Sequence, residues 1–179
     1  MRILRVIFIF AIVVSTAAAG LVTATAAHAA GEVNYVALGD SYSSGVGAGD
    51  YISSSGSCDR STLAYPEQWA GVNAPGSFVS VACSGATTAD VLSSQVSALS
   101  ASTKLVSITI GGNDAGFSSV METCVFLPTR LCLNAVAAAE SFIATQLPGR
   151  LDQTLQTIAA DAHRRFAAHG VRGRLVLTF

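Results

Sequence analysis

Hydrophobic positions along the chain fall into short, nearly unbroken apolar runs separated by longer stretches of helical spacing. Asn34-Tyr35-Val36-Ala37-Leu38 reads as a first strand that stops at Gly39-Asp40-Ser41. A Gly/Ser-rich loop from Ser43 to Ser61 follows, and Pro66 is placed to begin a helix that carries Trp69. Phe78 to Ala82 predicts a second strand, ending at Cys83-Ser84-Gly85-Ala86. Thr87-x-x-Asp90 has the form of a capping box, with Leu92, Val96 and Leu99 at helical spacing behind it. Leu105 to Ile110 is the strongest strand signal and runs into Gly111-Gly112-Asn113-Asp114. Val136, Ala139, Ile143 and Leu147 then predict one helix, with Asn134 as its N-cap and Pro148-Gly149 as its break. Leu151, Leu155, Ile158, Ala162 and Phe166 predict the next. A fourth strand is expected near Arg174–Thr178. Strands alternating with helices in this way predict a parallel, doubly wound α/β sheet.

The first 29 residues lie outside that grammar. Arg2 and Arg5 precede an unbroken apolar run from Val6 to Val14, and small residues lead to Ala27-His28-Ala29. This is the layout of an export signal with an A-x-A cleavage site. The run is well short of the roughly 20 residues a membrane span needs, so stable membrane insertion is not expected. The expected division is therefore a signal peptide over 1–29 and one domain over 30–179.

Composition narrows the function classes. The chain has 179 residues, 51% of them hydrophobic and 12% charged, which excludes a disordered polypeptide. Its net charge of −1 gives no electrostatic basis for binding nucleic acid. Charge is unevenly spread: residues 161–179 gather Arg164, Arg165, Arg172 and Arg174 against a single acid, Asp161. Export also changes how the cysteines read. Cys58, Cys83, Cys124 and Cys132 lack the paired C-x2-C spacing of a zinc site, and disulfides are the default in an oxidising compartment. Three connectivities are open, of which Cys58–Cys83 with Cys124–Cys132 closes the shortest loops.

Candidate chemistry sits where three predicted strands end. In a parallel sheet Gly39-Asp40-Ser41-Tyr42, Cys83-Ser84-Gly85 and Gly111-Gly112-Asn113-Asp114 must emerge at one edge. They offer a hydroxyl on a Gly-preceded turn, a glycine N–H and an asparagine amide, which is the set needed for a nucleophile with two oxyanion donors.

These blocks, with Ser43-Ser44-Gly45-Val46-Gly47 and Ser107-Ile108-Thr109-Ile110 around them, resemble the first three sequence blocks of the SGNH/GDSL hydrolases. The match is to the secreted bacterial lipase/esterase branch and covers roughly Val33 to Ala160. The resemblance implies a three-layer, flavodoxin-like α/β/α sandwich whose first strand lies between the second and third. It implies a Ser41 nucleophile, with the N–H groups of Ser41 and Gly85 and the Asn113 amide holding the oxyanion. Asp40 would accept hydrogen bonds that fix the loop, and Asp114 would cap the turn after its own strand. No metal or organic cofactor is implied. The partner would be a small-molecule or lipid ester, and the protein a monomer. The branch also carries its first two disulfides at these cysteines, which supports the short-loop pairing.

One block of the family is missing. Its general base is a histidine in a D-x-x-H block near the C-terminus, expected beyond Phe179. His28 lies in the export signal, His163 follows Asp161 at the wrong spacing, and His169 has no aspartate three residues before it. The expectation is a C-terminally truncated esterase domain that is nearly inert by itself. The alternative is a non-catalytic secreted module that binds esters, lipids or glycans.

Overall fold

The computed structural model describes residues 33–167, with side chains through residue 161. The predicted export signal, the predicted fourth strand, most of the basic tail, His28 and His169 lie outside the described residues. Three strands form one parallel sheet in the order β2-β1-β3: β1 is Asn34–Gly39, β2 Ser77–Ser80 and β3 Leu105–Thr109. The first strand is central, as the resemblance implies. Register pairs Ala37 with Ser80 and Gly39 with Thr109.

Strand alternation sends two different side-chain sets to the two faces. Val36 and Leu38 of β1 with Val106 and Ile108 of β3 point one way and form a buried aliphatic cluster with Val91, Leu99 and Ile158. Ile158 comes from α6 (Leu147–Ala167), so that helix covers this face together with the segment around Val91. On the opposite face Tyr35 meets Trp69 of α2 (Tyr65–Asn73) edge-on, with ring centroids 5.0 Å apart. Helix layers on both sides of a parallel sheet make the expected α/β/α sandwich.

Local departures from the predicted elements have identifiable causes. The Thr87/Asp90 capping box is present and opens α3 (Thr88–Asp90). The chain then widens into a π turn over Val91–Gln95 and tightens into a 3-10 turn over Val96–Ala98. The fully buried positions there are Val91, Gln95 and Leu99, so Leu92 and Val96 stand beside the core stripe rather than in it. α4 (Phe117–Phe126) is not among the predicted elements; Phe117, Val120, Met121, Cys124 and Val125 keep helical spacing on it, with Val120 and Cys124 half-buried and the other three exposed. α5 (Thr129–Thr145) begins five residues before the predicted cap at Asn134. Pro128 precedes it, and the Pro128 carbonyl accepts from the N–H groups of Leu131 and Cys132. Within α5, Ile143 is 49% exposed and Phe142 takes the inward position. The break predicted at Pro148-Gly149 is present but falls earlier, at Gln146 between α5 and α6; Pro148 itself is inside α6. It lies in the first turn of α6, where no N–H is required of it.

The Gly/Ser-rich loop is ordered from its start. Ser41–Ser44 form a single helical turn, α1. Further on, Ser53–Cys58 make a 3-10 turn, and Ser61 is buried with its hydroxyl donating to the Gly49 carbonyl. Disulfides join Cys58 to Cys83 and Cys124 to Cys132. The first ties this loop to the segment after β2, and the second closes the α4–α5 hairpin.

Candidate active site

Parallel pairing brings the ends of all three strands to one edge, and hydrogen bonds then lock the three following loops to one another. At the β1 exit Gly39 has φ +128°, a conformation that L side chains rarely adopt. A Cβ there would lie 2.5 Å from the Thr109 carbonyl oxygen and 2.6 Å from Ser43 Oγ, so only glycine fits. The turn delivers Ser41 to the first position of α1, behind Asp40 as N-cap.

Asp40 is 8% exposed, and its Oδ1 accepts from the Tyr42 N–H at 3.1 Å and from Thr109 Oγ1 at 2.9 Å. Its backbone N–H donates to the Thr109 carbonyl at 3.0 Å, fastening the turn to β3. From Thr109 a line of hydroxyls continues inward. Ser43 Oγ bonds Thr109 Oγ1 at 2.6 Å and Tyr65 OH at 3.1 Å. Tyr65 OH donates to Ser107 Oγ at 3.2 Å, and Ser107 Oγ bonds Tyr35 OH at 2.7 Å. Burial pushes the Tyr35 phenol up to about 12 against the opposing effect of the Ser107 bond.

The second loop is fastened at several points. The Cys83 N–H donates to the Gly39 carbonyl at 3.0 Å, the Ser84 N–H to the Cys58 carbonyl at 3.1 Å, and the Ala86 N–H to the Cys83 carbonyl at 3.1 Å. Gly85 between them has φ +80°. Among the described residues no acceptor is bonded to the N–H of Gly85 or of Ser41.

The third loop grips the second. Asn113 Nδ2 donates to the Ala86 carbonyl at 2.8 Å, which fixes the amide and leaves its second N–H for another acceptor. Asp114 does not cap the turn after its own strand, as the sequence suggested. Its carboxylate instead accepts from the Thr88 N–H at 2.9 Å and Thr88 Oγ1 at 2.6 Å, and pairs with Arg150 at 3.4 Å. The reason is topological: the connection from β2 to β3 passes over β1, and the start of α3 on it, with unpaired N–H groups, lies within reach of the β3 loop.

The sequence-predicted Ser41, Gly85 and Asn113 thus sit on three loops tied together at one edge. Of the residues that hold them, Asp40 is the loop-fixing acceptor expected from the sequence, while Ser107, Thr109 and Gln95 were missed. Ser107 and Thr109 were legible as polar side chains at alternate positions of an apolar strand. Gln95 was not, since one amide between Val91 and Leu99 carries no periodic signal. Between residues 33 and 161 there is no histidine. His163 stands in α6, thirteen residues past Arg150. At about 1.5 Å per residue its backbone is on the order of 20 Å beyond the end that meets Asp114.

The GDSL-like lipase/acylhydrolase family pattern matches residues 37–173. The chain belongs to this family. It is 53% identical over 157 residues to Lipase 1 of Streptomyces coelicolor, covering 87% of this chain and 59% of that protein. It is 51% identical over 150 residues to a lipase of Streptomyces rimosus, covering 82% and 56%. The crystal structure of phospholipase A1 from Streptomyces albidoflavus superposes with a TM-score of 0.74 at 51% identity, over 82% of this chain and 58% of that one. The extracellular lipase from Streptomyces rimosus superposes with a TM-score of 0.73 at 48% identity, over 81% and 58%. The chain therefore spans under three-fifths of the length of these relatives.

Proposed function

We propose that the chain is the nucleophile- and oxyanion-bearing part of a secreted serine hydrolase acting on carboxylic esters. Ser41 Oγ attacks the ester carbonyl, and the developing oxyanion is held by the N–H groups of Ser41 and Gly85 and by the free amide hydrogen of Asn113. The observation that carries this reading is the pair of unbonded backbone N–H groups on two loops joined by the hydrogen bond from the Cys83 N–H to the Gly39 carbonyl, with the Asn113 amide fixed beside Gly85 by its bond to the Ala86 carbonyl. Donors fixed before substrate arrives need no reorganisation when charge develops, which is how such a site lowers a barrier.

The general base is the remaining part. We assign it to a histidine of a D-x-x-H block beyond Phe179, because His163 and His169 have the wrong spacing and α6 carries His163 away from Ser41. Residues 1–29 act as the export signal and residues 30–179 as the hydrolase domain. The two disulfides and the extracellular Streptomyces rimosus relative support export. Lipase and phospholipase relatives support a lipid ester as substrate.

The test compares p-nitrophenyl ester hydrolysis by the 179-residue chain with that by a chain extended through the downstream D-x-x-H block. The extended form should turn over, and the short form should be slower by at least about 10³-fold, the scale of losing a triad member. Equal turnover by the two forms would refute the assignment of the base.

A further inference from the structure

Gly39 is the last residue of β1 and lies two positions before Ser41. Parallel register would give its N–H to the Val81 carbonyl, because Val81 N–H bonds the Ala37 carbonyl and Cys83 N–H bonds that of Gly39. That bond is not made. The Gly39 N–H donates instead to Gln95 Oε1 at 2.7 Å, and Gln95 Nε2 donates back to the Gly39 carbonyl at 2.9 Å. One buried side-chain amide, 3% exposed, thus occupies both polar groups of a single peptide residue.

The substitution has geometric consequences on both sides. Regular β1–β2 register ends at Ala37–Ser80, and past it the second chain is held to β1 through its own N–H groups at Val81 and Cys83 before it turns toward Gly85. The Gln95 grip also holds Gly39 at its positive φ, from which the chain swings Ser41 onto α1. The Gly39 carbonyl is the shared anchor, since it accepts from Gln95 on one side and from Cys83, two residues before Gly85, on the other. Gln95 reaches this point from the end of the π turn, where Val96 N–H bonds back to the Val91 carbonyl. Such turns recur at functional sites.

We infer that Gln95 is a positioning residue for the hydrolytic reaction: it sets the distance between Ser41 and the Gly85 N–H by gripping Gly39. The inference rests on the proposed Ser41 chemistry. It predicts that loss of the grip lowers the rate of attack on bound ester while leaving ester binding nearly unchanged, because the Gln95 amide is spent on the two polar groups of Gly39.

The experiment uses the complete gene product and the variants Gln95→Met, which removes both hydrogen bonds at similar volume, and Gln95→Glu, which keeps only the acceptor. Two quantities are read: kcat and KM on a p-nitrophenyl ester, and the rate and end-point of phosphonylation by a fluorophosphonate, with the adduct mapped by peptide mass. The end-point counts folded sites and separates misfolding from misplacement. Both variants should label to the wild-type end-point at Ser41 but about tenfold to a hundredfold more slowly, with kcat falling in parallel and KM within about twofold. Wild-type labelling rates and kcat in both variants would overturn the role of Gln95. So would a reduced end-point with an unchanged rate for the labelled fraction, which is the behaviour of a purely structural residue. Absence of any Ser41 adduct in the wild type would overturn the Ser41 reading itself, and this inference with it.

Discussion

The two faces of the central sheet share three strands yet are built from different chemistry. On one face Val36, Leu38, Val106 and Ile108 meet Val91, Leu99 and Ile158 in an aliphatic contact with no polar atom to place. On the other, Tyr35, Ser107, Tyr65, Ser43 and Thr109 form a line of hydroxyls that ends on the Asp40 carboxylate. Apolar burial is non-directional and roughly proportional to area, so the first face contributes stability without specifying angles. Hydrogen bonds fix direction, and a buried group left unpaired costs more than its bond contributes. The second face therefore fixes the Asp40 side of the β1 exit, while Gln95, from the segment that covers the first face, grips Gly39. The difference teaches that stability and site geometry are separable here: one strand supplies both, through alternate residues.

The largest expected effect breaks the aliphatic face. Leu38→Ala removes a fully buried side chain and should cost about 2–5 kcal/mol in urea unfolding. Turnover per folded molecule of the complete enzyme should stay within about threefold, since a well-placed site loses rate only when its groups move. A large loss per folded molecule would mean the faces are coupled.

Next comes titration of the hydroxyl face. The folded Tyr35 phenol lies near 12 against an ordinary value of 10.0, so its contribution is full below pH 10 and is lost as pH rises through 12. Two units correspond to about 2–3 kcal/mol. Wild type should lose its stability advantage over Tyr35→Phe across that interval, and a constant difference would contradict the burial of the phenol.

Thr109→Val is smaller in stability but sharper in function. It keeps shape while taking the donor from Asp40 and a partner from Ser43. A stability loss of about 1–3 kcal/mol is expected. Turnover of the complete enzyme should fall about tenfold or more as Asp40 loses its hold on the Ser41 turn. Unchanged turnover would confine the hydroxyl line to stability. The smallest effect belongs to neither face: Ile143→Ser, at an exposed position of α5, should stay within about 0.5 kcal/mol in the same unfolding assay.

Much of this was legible from residue order. The short apolar runs at Tyr35, Phe78 and Leu105 mark the strands, and the glycines that follow them mark the loops. What escaped did so for physical reasons. Gln95 acts through one amide on one peptide, a contact between residues 56 apart that no local pattern encodes. The helix break expected at Pro148-Gly149 lies at Gln146, because a proline is accommodated in the first turn of the following helix, where its missing N–H is not needed. Asp114 was placed on its own turn because sequence proximity stood in for spatial proximity, and Thr88 lies 26 residues away.

The central claim is that the hydroxyl face and the clamped loops exist to present Ser41 to an ester. It is tested most directly by the steady-state turnover of a p-nitrophenyl ester by the complete gene product carrying Ser41→Ala. The account predicts turnover at the level of the uncatalysed reaction plus the residual of about 10³–10⁴ that binding and oxyanion donors supply without a nucleophile. Turnover within tenfold of wild type, in a protein with an unchanged melting temperature, would contradict it.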